Sequence, residues 1–285
     1  MYLSKSLYTR GLQCVKSLWL KKYNQDVLTI PNEQTQAIFK TGNDVGELAC
    51  KLFPNGKEVP FKLGLEDMII QTKLWINMNM KNIYEASFKY NGIAVDILHV
   101  IDNAKKEVKI YEVKSSSSVK DIYLHDASIQ YYVLSKLGYD VKEVNIIHIN
   151  SKYVREKELD ITKLFSVVDV TDEVKKLKEN IPNHLNHFRR YLNDKENEPN
   201  IDIGTHCSNP YACDAIDYCW KYIPEYSIFD ISRLKTNKKF ELYNQNVITF
   251  KDITDITNFT TTQQIQIESE LSQEEIINSD NIKDF

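Results

Sequence analysis

The stretch IYEASFKYNGIAVDILHVIDNAKKEVKIYEVK, residues 83–114, decides the fold. Apolar and polar residues alternate along it, the period of a strand with one buried face. Asn91-Gly92 between two such runs is a strong short-range hairpin signal, and a two-residue loop there pairs Tyr90 with Ile93. The polar turn at 102–106 closes a second hairpin. Centred on Ala104, it sets Asp96 opposite Glu112. Alternation then puts Asp96, Glu112 and Lys114 on one face, and Glu85 and Ser87 join them from the first strand. Opposed like charges about 4.5–5.5 Å apart repel. Two facing carboxylates beside Leu98, Val100, Val108 and Ile110 call for a cation, and oxygen ligands suit Mg²⁺ or Mn²⁺. Such an ion activates water and neutralises charge on a phosphate oxygen. Lys114 is placed to orient that water or to steady a transition state. The alternative is a pair of ordinary polar residues at the solvated end of a sheet.

Outward from the hairpins, residues 4–24 read as a helix with Cys14 inside it, and 34–53 and 62–81 as two more. A helix over 119–137 ends at Gly138, where a C-terminal glycine belongs, and the serines at 115–118 read as its capping loop. VKEVNIIHI is a fourth strand, and 171–193 reads as one long charged helix. On the helix after the hairpins, Tyr123, Ala127, Gln130, Leu134 and Leu137 form a stripe at helical spacing. Gln130 is its polar member. A buried amide needs partners, which a polar site beside the sheet supplies; at the stripe's edge it would reach water instead.

Composition narrows the class. The chain opens MYLSKSLYTRG, without the apolar run of a secretory signal, and no stretch reaches the roughly 20 apolar residues of a membrane span. The expectation is a cytoplasmic protein with no membrane partner. Its formal net charge is −4. Acidic residues concentrate after about residue 245, where the chain reads as a linker or weakly packed helical end, and the body is mildly basic. That permits a DNA partner without requiring one.

Three of the five cysteines, Cys207, Cys213 and Cys219, recur at every sixth residue in THCSNPYACDAIDYCW. Thiols in a reducing compartment cluster more often for metal than for disulfides. Zinc sites use closer pairs, and Pro210 marks an irregular loop. An iron–sulfur cubane takes four thiolates, and Cys14 and Cys50 are both available as the fourth. Zinc in the same site, or reduced thiols with no metal, are the alternatives.

An Asp, then Glu-x-Lys one hairpin later, then a helix bearing Gln and Tyr resembles the PD-(D/E)XK nuclease family in its RecB-like branch. The match runs over about residues 40–150 and rests on Asp96, Glu112, Val113, Lys114, Gln130 and Tyr131 or Tyr132. It implies a mixed α/β fold with a restriction-endonuclease-like αβββαβ core. It also implies Mg²⁺ or Mn²⁺ held by Asp96, Glu112 and the Val113 carbonyl, with Lys114 assisting the attacking water. The family often places a metal-binding His in an early helix. Here TGNDVGELACKLF has none, and Glu47 is the substitute oxygen ligand. LSKSLYTRGLQCVKSLWLKKY, EVKSSSSVKDIYLHDASIQYYVL and HCSNPYACDAIDYCW together resemble the iron–sulfur branch, the CRISPR-associated exonucleases and AddB nuclease subunits. That resemblance assigns Cys14, Cys207, Cys213 and Cys219 to a structural [4Fe–4S] cluster joining helical N- and C-terminal additions, and leaves Cys50 as a small hydrophobe. Residues 1–225 would form the nuclease domain, and 226–285 an extension leading in larger relatives to a second domain. FDISRLKTNKKFELYNQNVITFKDI is similar to a helix-hairpin-helix with Asn246 at a glycine position. The expected activity is metal-dependent DNA hydrolysis, exonucleolytic on single-stranded ends, in company with protein partners of a DNA-processing complex. Two rivals stand beside it: a nucleic-acid-binding or assembly subunit without catalysis, and a redox sensor using the cluster.

Overall fold

The structure, a computed structural model, describes residues 3–90, 93–95 and 98–276. The chain divides into two compact units, Met1–Gln25 with Ile30–Pro199, and Asp26–Thr29 with Asn200–Phe285. The expected boundary after residue 225 therefore moves to Pro199, and the cysteine-rich stretch belongs to the second unit.

The first unit is mixed α/β. It opens with strand β1 (Leu3–Ser4) and helices α1 (Lys5–Gln13) and α2 (Val15–Tyr23). The single helix expected over 4–24 is broken at Cys14, whose extended backbone (φ −162°, ψ 120°) ends α1 and starts α2. Helix α3 (Glu33–Cys50), strand β2 (Lys57–Glu58) and helix α4 (Leu65–Asn77) follow. The hairpin region holds β3 (Asn82–Tyr84), β4 (Phe88–Tyr90), β5 (Ile93–Val95), β6 (Leu98–Asp102) and β7 (Glu107–Lys114). Next come α5 (Asp121–Lys136), β8 (Asp140–Ile149), α6 (Ile161–Leu164), β9 (Phe165–Asp169), α7 (Thr171–Lys178) and α8 (Ile181–Asn193). The helix expected over 171–193 is thus two, with Pro182 in the first turn of the second, where its missing N–H costs nothing. Gly138 takes φ +83° after α5, as its position requires. The serine run does not cap α5; Lys120 is the N-cap and gives no side-chain bond.

The first hairpin adopts the register read from the sequence where it is described; the second does so at His99 and Val100, but its register shifts before the turn, where Asp102 pairs with Glu107. Tyr90 pairs with Ile93 in the first, and His99 with Lys109 and Val100 with Val108 in the second. The turn Asn91-Gly92 and the residue Asp96 lie outside the described residues. The three strands do not form one continuous meander, however. β4 and β5 join β1 in a sheet of order β1-β5-β4, while β6 and β7 belong to a second sheet of order β2-β3-β6-β7-β8-β9. The first expected strand breaks at Glu85, which takes φ +54°. Beyond the break the Ser87 N–H donates to Thr72 Oγ1 of α4 instead of to a strand. Glu85 therefore does not extend the carboxylate face.

β7 and β8 run parallel, joined by the crossover helix α5. Their side chains alternate between two covered faces. Tyr111, Val113 and Ile147 meet α3 through Val45, Leu48 and Ala49. Val108 and Ile110, fully buried, occupy the other face together with Glu112. Each fully buried aliphatic side chain contributes roughly 1.5–3 kcal/mol. α1 packs near α8, where the Tyr8 ring meets Phe188 edge-on at 5.8 Å and the Tyr8 hydroxyl lies 3.0 Å from His184 Nδ1.

The second unit contains α9 (Ile216–Cys219), α10 (Thr236–Asn244) and α11 (Thr261–Ser272). It is not a bare polar linker. Ile228, Ile231, Phe250, Ile253, Phe259 and Ile267 form a buried cluster of their own. Among the described residues, no helix is long and apolar enough to cross a membrane.

Close packing generates a test. A Cβ at Gly11 of α1 would lie 2.8 Å from the buried Phe188 ring and 3.0 Å from Leu18. Gly11→Ala, which normally strengthens a helix, is expected to destabilise this one by about 1–3 kcal/mol in denaturant unfolding.

Candidate active site

Glu112 sits where strand alternation calls for an apolar residue, and it is 3% exposed. Four side chains surround or extend from its carboxylate. Lys114, two residues on and on the same face, donates to Oε1 at 2.7 Å. Gln130 of α5, 0% exposed, donates through Nε2 to Oε2 at 2.7 Å. Lys5, the first residue of α1, reaches both oxygens, at 3.0 Å and 3.2 Å. Lys114 also donates to Asp126 Oδ2, one helical turn before Gln130 on α5. The result is a chain of alternating charge, Lys5, Glu112, Lys114, Asp126. The Lys114 ammonium lies 5.2 Å from the centre of the Tyr123 ring, a cation–π distance.

The electrostatics follow from burial and pairing. Burial alone would raise the Glu112 pKa, but the charges of Lys114 and Lys5, with the hydrogen bonds from Lys114 and Gln130, hold it well below the usual carboxylate range. Burial disfavours the charge on Lys114; Glu112 and Asp126 outweigh it and push the pKa above the ordinary lysine value. Burial pushes Asp126 up, against the opposing pull of Lys5 and Lys114. Pairing thus favours the anion at Glu112 and the cation at Lys114. Gln130 Oε1 is buried without a hydrogen-bond partner, an acceptor left open beside the carboxylate.

The structure brings Glu112, Lys114 and Gln130 together. It places Glu47 elsewhere: exposed on α3, the helix that covers the opposite face of the sheet through Tyr111 and Val113. The Val113 side chain points to that α3 layer, and its backbone stands opposite Ile147 in the β7–β8 ladder. His99 bonds Asn82 and its ring lies 6.2 Å from Tyr111, away from Glu112's face. Two participants were missed in the sequence. Asp126 carried a signal, since it lies four residues before Gln130 on a helix. Lys5 carried none, because its position depends on β1 pairing with β5 (Leu3 with Ile93, Ser4 with Ala94).

In the second unit, the cysteine loop is organised by its backbone. The Cys207 N–H donates to Gly204, that of Cys213 to the Cys207 carbonyl at 2.9 Å, and that of Cys219 to Ala215. Cys207 and Cys219 share an apolar cluster with Ile203, Trp220 and Phe240. Thr29, from the short segment that joins this unit, bonds Asp214 through its N–H and Asp217 through its hydroxyl. Cys14 belongs to the first unit, at the α1–α2 junction. None of the five cysteines forms a disulfide. Among the described residues, no three Cys, His, Asp or Glu side chains close on a common point in the manner of a filled metal shell.

The chain matches no protein-family model, and no curated protein matches it.

Cys50 stands apart chemically. Burial, with Glu58, Glu85 and Glu47 nearby, pushes its thiol up to about 11. The thiolate is the reactive form, so alkylation of Cys50 is expected to be slow at neutral pH and to accelerate only as pH approaches 11. Peptide mass spectrometry after timed iodoacetamide labelling reads this directly.

Proposed function

We propose that the chain is a divalent-metal-dependent deoxyribonuclease of the RecB-like PD-(D/E)XK type, acting as an exonuclease on single-stranded ends. The observation that carries this reading is Glu112, a carboxylate buried on a strand face and bonded to the lysine two residues on and to a glutamine of the next helix. Antiparallel β6 and β7, crossover helix α5 and parallel β8 support the restriction-endonuclease-like core.

The residues present fit a hard cation. The donor chemistry is carboxylate oxygen, and the orphaned Gln130 Oε1 is an acceptor suited to a hydrated ion. Glu112 would hold Mg²⁺ or Mn²⁺ with Asp96 and the Val113 carbonyl. When bound, the ion supplies a water of lowered pKa and neutralises phosphate charge. Lys114, whose pairing with Glu112 and Asp126 favours its protonated form, is placed to donate toward developing negative charge on oxygen. Asp126 anchors that ammonium, and Gln130 fixes the plane of the Glu112 carboxylate.

The same reading assigns Cys14, Cys207, Cys213 and Cys219 to a structural [4Fe–4S] cluster. Thiols outside any disulfide on an irregular loop support it. A second reading, a nucleic-acid-binding subunit without catalysis, is favoured by one observation: lysines already engage both Glu112 oxygens.

The deciding experiment uses the anaerobically purified protein, analysed for iron and sulfide and assayed on end-labelled single-stranded DNA. Degradation is expected only with Mn²⁺ or Mg²⁺, and Glu112→Gln or Lys114→Met is expected to slow it by about 10²-fold or more while the circular dichroism stays native. Cleavage that persists in either folded variant overturns the site. DNA binding without cleavage selects the second reading.

A further inference from the structure

We propose that the Lys5 ammonium is a built-in stand-in for the divalent cation at Glu112, so that the Lys5–Glu112 ion pair and metal binding exclude each other. The inference rests on the reading of Glu112 as a metal ligand and adds a residue outside the strand–helix core.

The geometry is the first argument. Lys114 and Gln130 each take one oxygen of the carboxylate, Oε1 and Oε2 respectively. Among the described residues, Lys5 reaches both oxygens nearly equally, at 3.0 Å and 3.2 Å. Its ammonium therefore sits in the fork of the carboxylate, the position a bidentate cation takes. A divalent ion and an ammonium cannot share that fork, since like charges a few ångströms apart repel strongly away from bulk water.

The second argument is that the N-terminal end of α1 does not favour a cation where Lys5 stands. Lys5 is the first residue of that helix, and the first turn carries no acidic residue. The positive end of the helix dipole disfavours a cation there. Glu112 supplies the compensation that the helix does not.

The third argument is charge balance. A buried carboxylate left without a counterion is strongly destabilising. Lys114 is shared with Asp126, so it cannot neutralise Glu112 alone. Among the described residues Lys5 adds the second positive charge beside Glu112 and Asp126, and its side chain is 19% exposed, on a flexible stem. Glu112 itself is held by Gln130 inside the sheet–helix layer.

The test is Mn²⁺ binding to the whole folded chain without DNA, followed by the loss of the free-ion electron paramagnetic resonance signal. Wild type is compared with Lys5→Met, Lys5→Gln, Lys5→Arg and Glu112→Gln, each checked by thermal melting. Removing the competing charge is expected to tighten Glu112-dependent Mn²⁺ binding about tenfold in Lys5→Met. Lys5→Gln, which keeps a hydrogen-bond donor and serves if the methionine variant does not fold, is expected to follow it. Lys5→Arg is expected to bind no more tightly than wild type. If wild type binds Mn²⁺ through Glu112 and neither neutral variant binds more tightly, the stand-in is overturned and the metal-ligand reading survives. If no variant shows Glu112-dependent binding, both are overturned together.

Discussion

The burial of one negative charge organises the first unit. Glu112 occupies a strand position whose neighbours on the same face, Val108 and Ile110, are fully buried. An ion in such a place is tolerated only when its partners are fixed with it. Those partners come from three separate parts of the chain: Lys5 at the start of α1, Lys114 on the same strand, and Gln130 on α5. The N-terminal strand, the central sheet and the crossover helix are thereby bound to a single geometry. Removing a charged partner would leave buried charge uncompensated, which is strongly destabilising.

Much of this geometry was legible because it is local. Alternation and an Asn-Gly turn are enough to set Tyr90 against Ile93, and the same reasoning sets His99 against Lys109. Helical spacing placed Gln130 on the inward stripe of α5, and Gly138 marked where that helix ends. What was illegible depends on tertiary contact. Alternation continues through Glu85, yet the backbone turns left-handed there and α4 takes the Ser87 N–H, so one expected sheet becomes two. Cys14 breaks a helix without a proline or glycine at the break. Glu47 was named as an oxygen ligand because the resembled family places a metal-binding His in an early helix, where this chain has none. Sequence order does not say which face of a sheet a helix covers, and α3 covers the face opposite Glu112.

The second unit gives the complementary lesson. The polar, acidic chain after residue 245 read as a linker or a weakly packed helical end; it carries helix α11, and Phe250, Ile253, Phe259 and Ile267 close a small core with Ile228 and Ile231. Average composition dilutes such a core among polar neighbours. Asn246 takes φ +61°, the left-handed conformation that glycine usually fills and asparagine tolerates.

The Lys5–Glu112 contact spans 107 residues of chain. During synthesis the lysine leaves the ribosome long before the carboxylate exists, and Gln130 follows later still. β1, which precedes Lys5, is two residues long, and its pairing partner β5 is made later in the chain. Contacts this distant close late in folding, because the loop entropy must be met before they form. The charged centre can be complete only once α5, which carries Gln130, has been made. A nascent chain that ends short of α5 carries Glu112 without the surroundings that hold it charged and oriented.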